Sequence, residues 1–325
     1  MRYQRFGKSD MEVSVVCPGN WASGEKRWGG VEEDEAIRAT RLAADLGINF
    51  FDTAKSYGWG ASERLLGKSL AGVRQNVYIT TKMGRKPRSD GKPGMGPVDL
   101  SPELYGDAID ESLRNLQTDY VDLFMAHAYD GTTPLHDMAG GFERLREQGK
   151  IRWWGISNFD AAAVRELAQY PGFAGYQGLL NLVEQDALND IIPACNESGV
   201  GFMGFTPLGM GLLTGKYAEL PAFAANDVRT GRYYFTTQGF AAAQPGLEVM
   251  RRMAETKGAT LAQLASAWVF AAGATVTVVG FKSESQVRDN AAASDVTLSE
   301  AEVRELTQAF QGTSASEDRY GARGK

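Results

Sequence analysis

Ile48-Asn49-Phe50-Phe51-Asp52-Thr53-Ala54-Lys55-Ser56-Tyr57 reads as a short buried strand running into a polar loop. Two adjacent aromatics, Phe50 and Phe51, leave neither face of the strand for water, as in a parallel strand covered on both sides. Upstream, residues 33–46 put Ala36, Ala39, Ala43 and Leu46 on one helical stripe. Downstream, 77–81 is a second apolar run, and it ends in Lys82. The alternation then continues. Strand-like runs at 13–17, 48–51, 77–81, 120–126, 151–156, 175–180, 201–205 and 276–279 are separated by segments of helical period. Eight repeats of strand and helix predict an α/β fold closed into a (β/α)8 TIM barrel.

The 325 residues exceed the roughly 250 that such a barrel needs, and residues 1–325 are expected to form one barrel domain. Tyr3–Phe6 and Met11–Val13, around Gly7-Lys8-Ser9-Asp10, predict an N-terminal β-hairpin closing the barrel floor. Helices are expected at 138–148, 160–169, 188–198, 246–257, 261–270 and 283–293. Another opens at Ser101-Pro102, with Ser101 as N-cap, and Ser299 to Glu302 form a capping box for the last. Of the adjacent Trp153 and Trp154, one should face the barrel and the other the helices. Two segments, 83–100 and 209–245, read as long loops after strands, on the face where barrel active sites form.

Composition narrows the function. With 43% hydrophobic and 23% charged residues and a net charge of −6, the chain has no basic footprint for nucleic acid. The basic residues Arg85, Lys86 and Arg88 are bunched in a Gly/Pro-rich stretch. No apolar run is long enough to span a bilayer. Two distant cysteines, Cys17 and Cys195, are expected as reduced thiols in a cytoplasmic protein. His127 and His136 are the only histidines and no metal-ligand spacing accompanies them, so no metal site is expected. Gly155-Ile156-Ser157-Asn158-Phe159 lacks the last glycine of a nucleophile elbow, which argues against a serine hydrolase.

Four polar side chains fall at strand ends or just beyond: Asp52, Tyr57, Lys82 and His127. Singly, each has an ordinary reading as a cap, a solvated charge or a structural histidine. Together they make a proton-transfer set. Carbonyl reduction needs a hydride at carbon and a proton at oxygen. A free phenol, with a pKa near 10, exchanges its proton slowly at neutral pH, and a neighbouring ammonium is expected to lower that value. Lys82 supplies the ammonium, Asp52 holds it, and His127 with Tyr57 would bond the carbonyl oxygen.

The run Phe51-Asp52-Thr53-Ala54-Lys55-Ser56-Tyr57-Gly58, followed by Ser62-Glu63 and Leu66-Gly67, resembles the signature of the aldo-keto reductase superfamily. Thr118-Asp119-Tyr120-Val121-Asp122-Leu123 leading to His127, Gly155 to Phe159, and Gly211-Leu212-Leu213-Thr214-Gly215-Lys216-Tyr217 extend the resemblance over nearly the whole chain. The pattern is closer to the bacterial branch related to potassium-channel β-subunits than to mammalian aldose reductases. The resemblance implies an Asp–Tyr–Lys–His tetrad on Asp52, Tyr57, Lys82 and His127, NADPH-dependent reduction of aldehydes and ketones, and a nicotinamide cofactor bound without a Rossmann domain. No G-x-G-x-x-G follows a strand, in keeping with this. By similarity Ser157, Asn158 and Gln177 would bond the carboxamide, and Phe205 would stack on the nicotinamide. Thr206, Pro207, Leu208 and Gly209, with Leu213 and Lys216, would cover the pyrophosphate.

Gly280-Phe281-Lys282-Ser283 precedes a helix start, a natural phosphate site. Ser283 and Gln286 also fit a capping box. Through the resemblance, Lys282 and Ser283 become contacts to the 2′-phosphate, and Gln286 and Asn290 contacts to adenine, with NADPH (NADP+) favoured over NADH. Trp21, Trp59 and Tyr129 are candidates either for the wall of a small-molecule carbonyl pocket or for local packing. The family's Tyr-Ser-Pro-Leu after the seventh strand is here Phe205-Thr206-Pro207-Leu208, Val279 replaces a proline, and Pro18-Gly19-Asn20-Trp21 replaces a more glycine-rich strand end. The rival of a different class is an NADPH-binding regulatory subunit with little turnover. The sequence sets no oligomeric state.

Overall fold

The computed structural model describes residues 1–24, 31–90 and 94–313. Its strands are β1 Tyr3–Arg5, β2 Glu12–Ser14, β3 Val16–Gly19, β4 Phe50–Asp52, β5 Tyr78–Met83, β6 Arg85–Pro87, β7 Met95–Val98, β8 Val121–Ala126, β9 Ile151–Ser157, β10 Phe173–Leu179, β11 Gly201–Phe205 and β12 Val276–Gly280. β3, β4, β5, β8, β9, β10, β11 and β12 close in that order into a parallel barrel, with helices in the connections. The fold is therefore the expected (β/α)8 TIM barrel, and each of its strands falls on one of the eight apolar runs.

Alternation along the strands builds two cores. One lies inside the barrel and contains Cys17, Phe50, Leu123, Met125, Met203, Val276 and Val278. The other lies between strands and helices and contains Phe51, Phe124, Trp154, Phe202 and Trp268. The two tryptophans divide as expected. Trp154 stacks on Phe142 of the helix layer at 5.0 Å, whereas Trp153 packs against the inner core and donates to Asp10 Oδ1 at 2.9 Å.

β1 and β2 pair antiparallel, with Gln4 opposite Val13. The turn between them carries Phe6, fully buried in the inner core with Met11 and Val13. Gly201 makes room for it, because a Cβ there would lie 2.7 Å from the Phe6 ring. The hairpin thus closes the end of the barrel opposite to Asp52 and His127.

Three local expectations need correction. The segment 209–245 is not all loop: a helix runs Thr237–Lys257, capped by Thr236, whose hydroxyl accepts from Gly239 N at 3.1 Å. Pro245 sits inside it and removes one backbone donor, but Phe240, Ala243, Leu247 and Met250 bury a stripe that holds the turns together. The segment 83–100 contains the antiparallel pair β6–β7. Ser101 is the N-cap residue of a 3-10 turn, without a side-chain cap bond, rather than of the α-helix itself. Its hydroxyl donates to Asp99 Oδ1 at 2.6 Å, a 3-10 turn follows at Pro102–Leu104, and the helix begins at Tyr105.

Other helices start close to where they were expected. Asp160 accepts from Ala163 N, and Ser299 with Glu302 makes a complete capping box. Among the described residues, no helix is long and apolar enough to cross a membrane. Cys17 and Cys195 are buried free thiols.

Candidate active site

β4, β5 and β8 are neighbours in the barrel, and their carboxyl ends bring Asp52, Lys82 and His127 to one rim. Lys82 is 1% exposed and Asp52 3%, so both depend on partners rather than water. Lys82 Nζ donates to Asp52 Oδ1 at 2.6 Å, to the Thr53 carbonyl at 2.8 Å and towards Tyr57 Oη at 3.5 Å. Its ammonium also lies 5.1 Å from the Tyr57 ring centroid. Burial, the largest single influence, opposes the charge on Lys82, but Asp52 and Tyr57 together outweigh it and hold the amine above the ordinary lysine value.

Tyr57 corrects an expectation. Burial, the largest influence, disfavours phenolate more strongly than Lys82 favours it, and Asp52 adds to the upward push. The phenol is therefore raised above its ordinary value of 10.0, not lowered. The physical reason is first the burial of the phenol, and then the Asp52 carboxylate, whose field opposes that of Lys82.

His127 meets Tyr57 edge to face at 5.7 Å between ring centroids. Its Nδ1 lies 3.2 Å from Ser56 Oγ. Burial, reinforced by Lys82 and Arg85, pushes the imidazole well below its ordinary 6.5, so the ring is neutral. The backbone behind these groups is tied to the helix Ala61–Ser69. Ser62 Oγ lies 2.8 Å from Thr53 Oγ1 and donates to Asn20 O at 2.9 Å. The buried Glu63 accepts from Thr81 Oγ1 at 2.7 Å and Asn115 Nδ2 at 2.9 Å. The Ser62-Glu63 dipeptide thus braces the strand ends that carry Asp52 and Lys82.

The expected carboxamide contacts are gathered beside the tetrad. Gln177 Nε2 donates to Asp52 Oδ1 at 2.7 Å. Asn158, held at φ +62°, donates to the His127 carbonyl at 3.1 Å and to Ser157 Oγ at 3.0 Å. Asn20 presents a buried Oδ1 that lacks a partner among the described residues. Phe205 is half-buried at the end of β11. Beyond it Thr206, Gly209, Met210, Gly211 and Gly215 all have positive φ, so the chain turns sharply over the rim. Pro207 and Gly209 are buried and Leu208 is half-buried in this turn. Leu213 is fully buried in the outer core, and Lys216 is exposed with its ammonium 4.9 Å from the Tyr217 ring.

At the next strand end Lys282 is half-buried. Burial, Arg229 and Lys216 push its amine below the ordinary lysine value, with Asp227 opposing. Arg229 is forked on Asp227 at 2.8 and 2.6 Å and donates to Tyr217 Oη at 3.0 Å. Three cations crowded around one carboxylate suit an anionic ligand, and the phosphates of a nicotinamide cofactor fit that requirement. Ser283 Oγ accepts from Gln286 N at 3.4 Å. The Gln286 side chain returns to Lys282 N at 2.8 Å, not to Ser283, so the capping box expected here is only half formed. Asn290 donates to the Gly280 carbonyl at 3.2 Å.

Of the pocket candidates, Trp21 and Trp59 are half-buried, Trp59 at φ +52° just past Tyr57. Tyr129 is 41% exposed and packs on Phe159 at 5.1 Å. Two site residues escaped the sequence reading. Ser56 lay unassigned inside the quoted motif, and Arg229 sat in the aromatic-rich segment, where only the Asp227-x-Arg229 spacing hinted at a fork.

Residues 15–311 match the model of the Aldo/keto reductase family. Aldo-keto reductase YhdN of Bacillus subtilis (strain 168) is 28% identical over 317 residues, spanning 96% of this chain and 95% of that protein. The NADH-specific methylglyoxal reductase of Escherichia coli (strain K12) is 29% identical over 322 residues, spanning 94% and 98%. Among solved structures, glycerol dehydrogenase AKR11B4 from Gluconobacter oxydans superposes with a TM-score of 0.88 at 28% identity, over 95% of this chain and 94% of that one. With this barrel and a family match over nearly its whole length, the chain belongs to the aldo/keto reductase family and is an NAD(P)H-dependent oxidoreductase.

Proposed function

We propose that this protein reduces aldehydes or ketones to alcohols, reversibly, with NADPH as the hydride source and Tyr57 as the proton donor. The observation that carries the reading is the junction at Lys82, whose ammonium lies 2.6 Å from Asp52 and 3.5 Å from the Tyr57 hydroxyl. When bound, the cofactor supplies a hydride to the carbonyl carbon. Tyr57 gives its proton to the oxygen, and Lys82 stabilises the phenolate left behind. Asp52 keeps Lys82 charged and in place. With the Ser56 hydroxyl donating to Nδ1, His127 would keep its proton on Nε2 and donate a hydrogen bond, not the proton, to the carbonyl oxygen, orienting the substrate. Run backwards, the phenolate acts as base for alcohol oxidation.

Ser157, Asn158 and Gln177 would hold the carboxamide and Phe205 the nicotinamide face. The turn from Thr206 through Leu213 to Lys216 would cover the pyrophosphate. Lys282 with Ser283, assisted by Arg229, would take the 2′-phosphate, and Gln286 and Asn290 the adenine. Trp21, Trp59 and Tyr129 would wall the substrate. The preference for NADPH rests on the cations around Lys282, which a cofactor lacking the extra phosphate would leave less well neutralised. The names of two similar proteins, a methylglyoxal reductase and a glycerol dehydrogenase, support small carbonyl and alcohol substrates.

The test is steady-state loss of reduced-cofactor absorbance across a panel of aldehydes and ketones. Turnover that saturates with substrate supports reduction. Tight NADPH binding with negligible turnover across the panel would contradict it and favour a cofactor-binding regulator.

A further inference from the structure

The sequence bunches three basic residues, Arg85, Lys86 and Arg88, and the structure treats them differently. The β6–β7 hairpin springs from the end of β5, the strand that carries Lys82. Met83 still pairs with Ala126 in the barrel, and its carbonyl accepts from His127 N at 3.0 Å. Gly84, at φ +100°, then turns the chain, so Arg85 enters the rim two residues beyond a direct bond to His127. Lys86 is paired with Asp99, and Arg88 is forked on Asp90 at 2.9 and 2.5 Å. Among the described residues Arg85 has only the Gly96 carbonyl, at 3.2 Å from Nη1. Its Nε is buried, and it is the one charged group among the buried side-chain atoms that lack a partner in the described residues.

Burial pulls the Arg85 guanidinium below the usual arginine value, with no carboxylate among the described residues offsetting it. Its charge also bears on His127. A partly desolvated guanidinium without a counter-ion is costly to keep. Its fork is suited to a carboxylate or a phosphate. The cofactor's phosphates are poor candidates, because Lys216, Arg229 and Lys282 follow β11 and β12, and β11 lies four strands from β5 around the ring of eight.

We propose that Arg85 selects anionic carbonyl compounds, binding a carboxylate or phosphate on the substrate beside His127. This rests on the reading of the site as a carbonyl reductase and names its substrate class. Matched pairs test it: succinic semialdehyde against its methyl ester, and glyceraldehyde phosphate against glyceraldehyde. The readout is the ratio of kcat/KM for the charged and neutral member in wild type, Arg85→Met and Arg85→Lys. Taking the ratio within each protein cancels any general loss of activity.

The expected wild-type ratio is about ten to a hundred in favour of the anion for at least one pair, the worth of a charge-assisted hydrogen bond. It falls to near one in Arg85→Met and is partly kept in Arg85→Lys. The pair that responds tells carboxylate from phosphate. A wild-type ratio near one for both pairs, or a ratio that survives Arg85→Met, overturns the proposal while leaving carbonyl reduction intact. Failure to reduce any member overturns the underlying reading and this proposal with it.

Discussion

Lys82 has three N–H donors, directed at Asp52, Thr53 and Tyr57. The Tyr57 phenol is raised above 10.0, first by burial, so it holds its proton through the neutral range, the state that an acid needs. Reduction should therefore persist through moderately alkaline pH and decline only above about pH 10, where the phenol ionises. Oxidation, which needs the phenolate, should rise over the same interval. His127 is depressed well below 6.5 by burial and two cations. Its neutral form stabilises the fold fully above the unfolded value of about 6.5, and that contribution is lost as pH falls towards the folded value. The profile of kcat/KM for reduction should accordingly show no limb near pH 6.5. A histidine-like limb there would contradict the neutral imidazole.

The cations proposed to meet the cofactor's phosphates come from two elements. Arg229 lies on the segment after β11, and Lys282 precedes the helix Glu284–Ala292. Lys282→Ala should weaken NADPH by about tenfold or more, as loss of a charge-assisted contact does, with a much smaller effect on NADH in the same titration. Equal weakening would mean that the side chain does not meet the 2′-phosphate. The barrel strands were legible in the sequence because burial on both faces leaves unbroken apolar runs. The helix Thr237–Lys257 was not, because Pro245 and Gly246 look like its beginning, while the stripe that overrides the proline starts at Phe240. The four candidate residues Asp52, Tyr57, Lys82 and His127 were legible because each sits at a strand end or inside one short motif. The approach of Arg229 to Lys282, the Gln177–Asp52 bond and the direction of the Tyr57 shift arise from contacts between distant segments, and local pattern does not encode them.

Across the whole molecule the two ends of the barrel have different tasks. The floor is sealed by Phe6, and the mouth holds the charged groups. Replacing Phe6 with Ala empties the inner core beside Gly175 and Gly201 and should cost about 3–5 kcal/mol of unfolding free energy. Cofactor affinity at the far end should change little. Urea unfolding alongside a cofactor titration checks both, and a loss under about 1 kcal/mol would mean that the hairpin does not seal the core.

The central claim concerns the proton at the mouth. The most direct measurement is single-turnover reduction of an aldehyde by Tyr57→Phe loaded with NADPH, beside a binding titration on the same protein. Tyr57→Phe keeps the ring and removes only the hydroxyl. The predicted result is cofactor affinity within about twofold of wild type and a rate lower by roughly 10²–10⁴-fold, the scale of a lost general acid. Reduction at near wild-type rate would contradict the assignment of the proton to Tyr57.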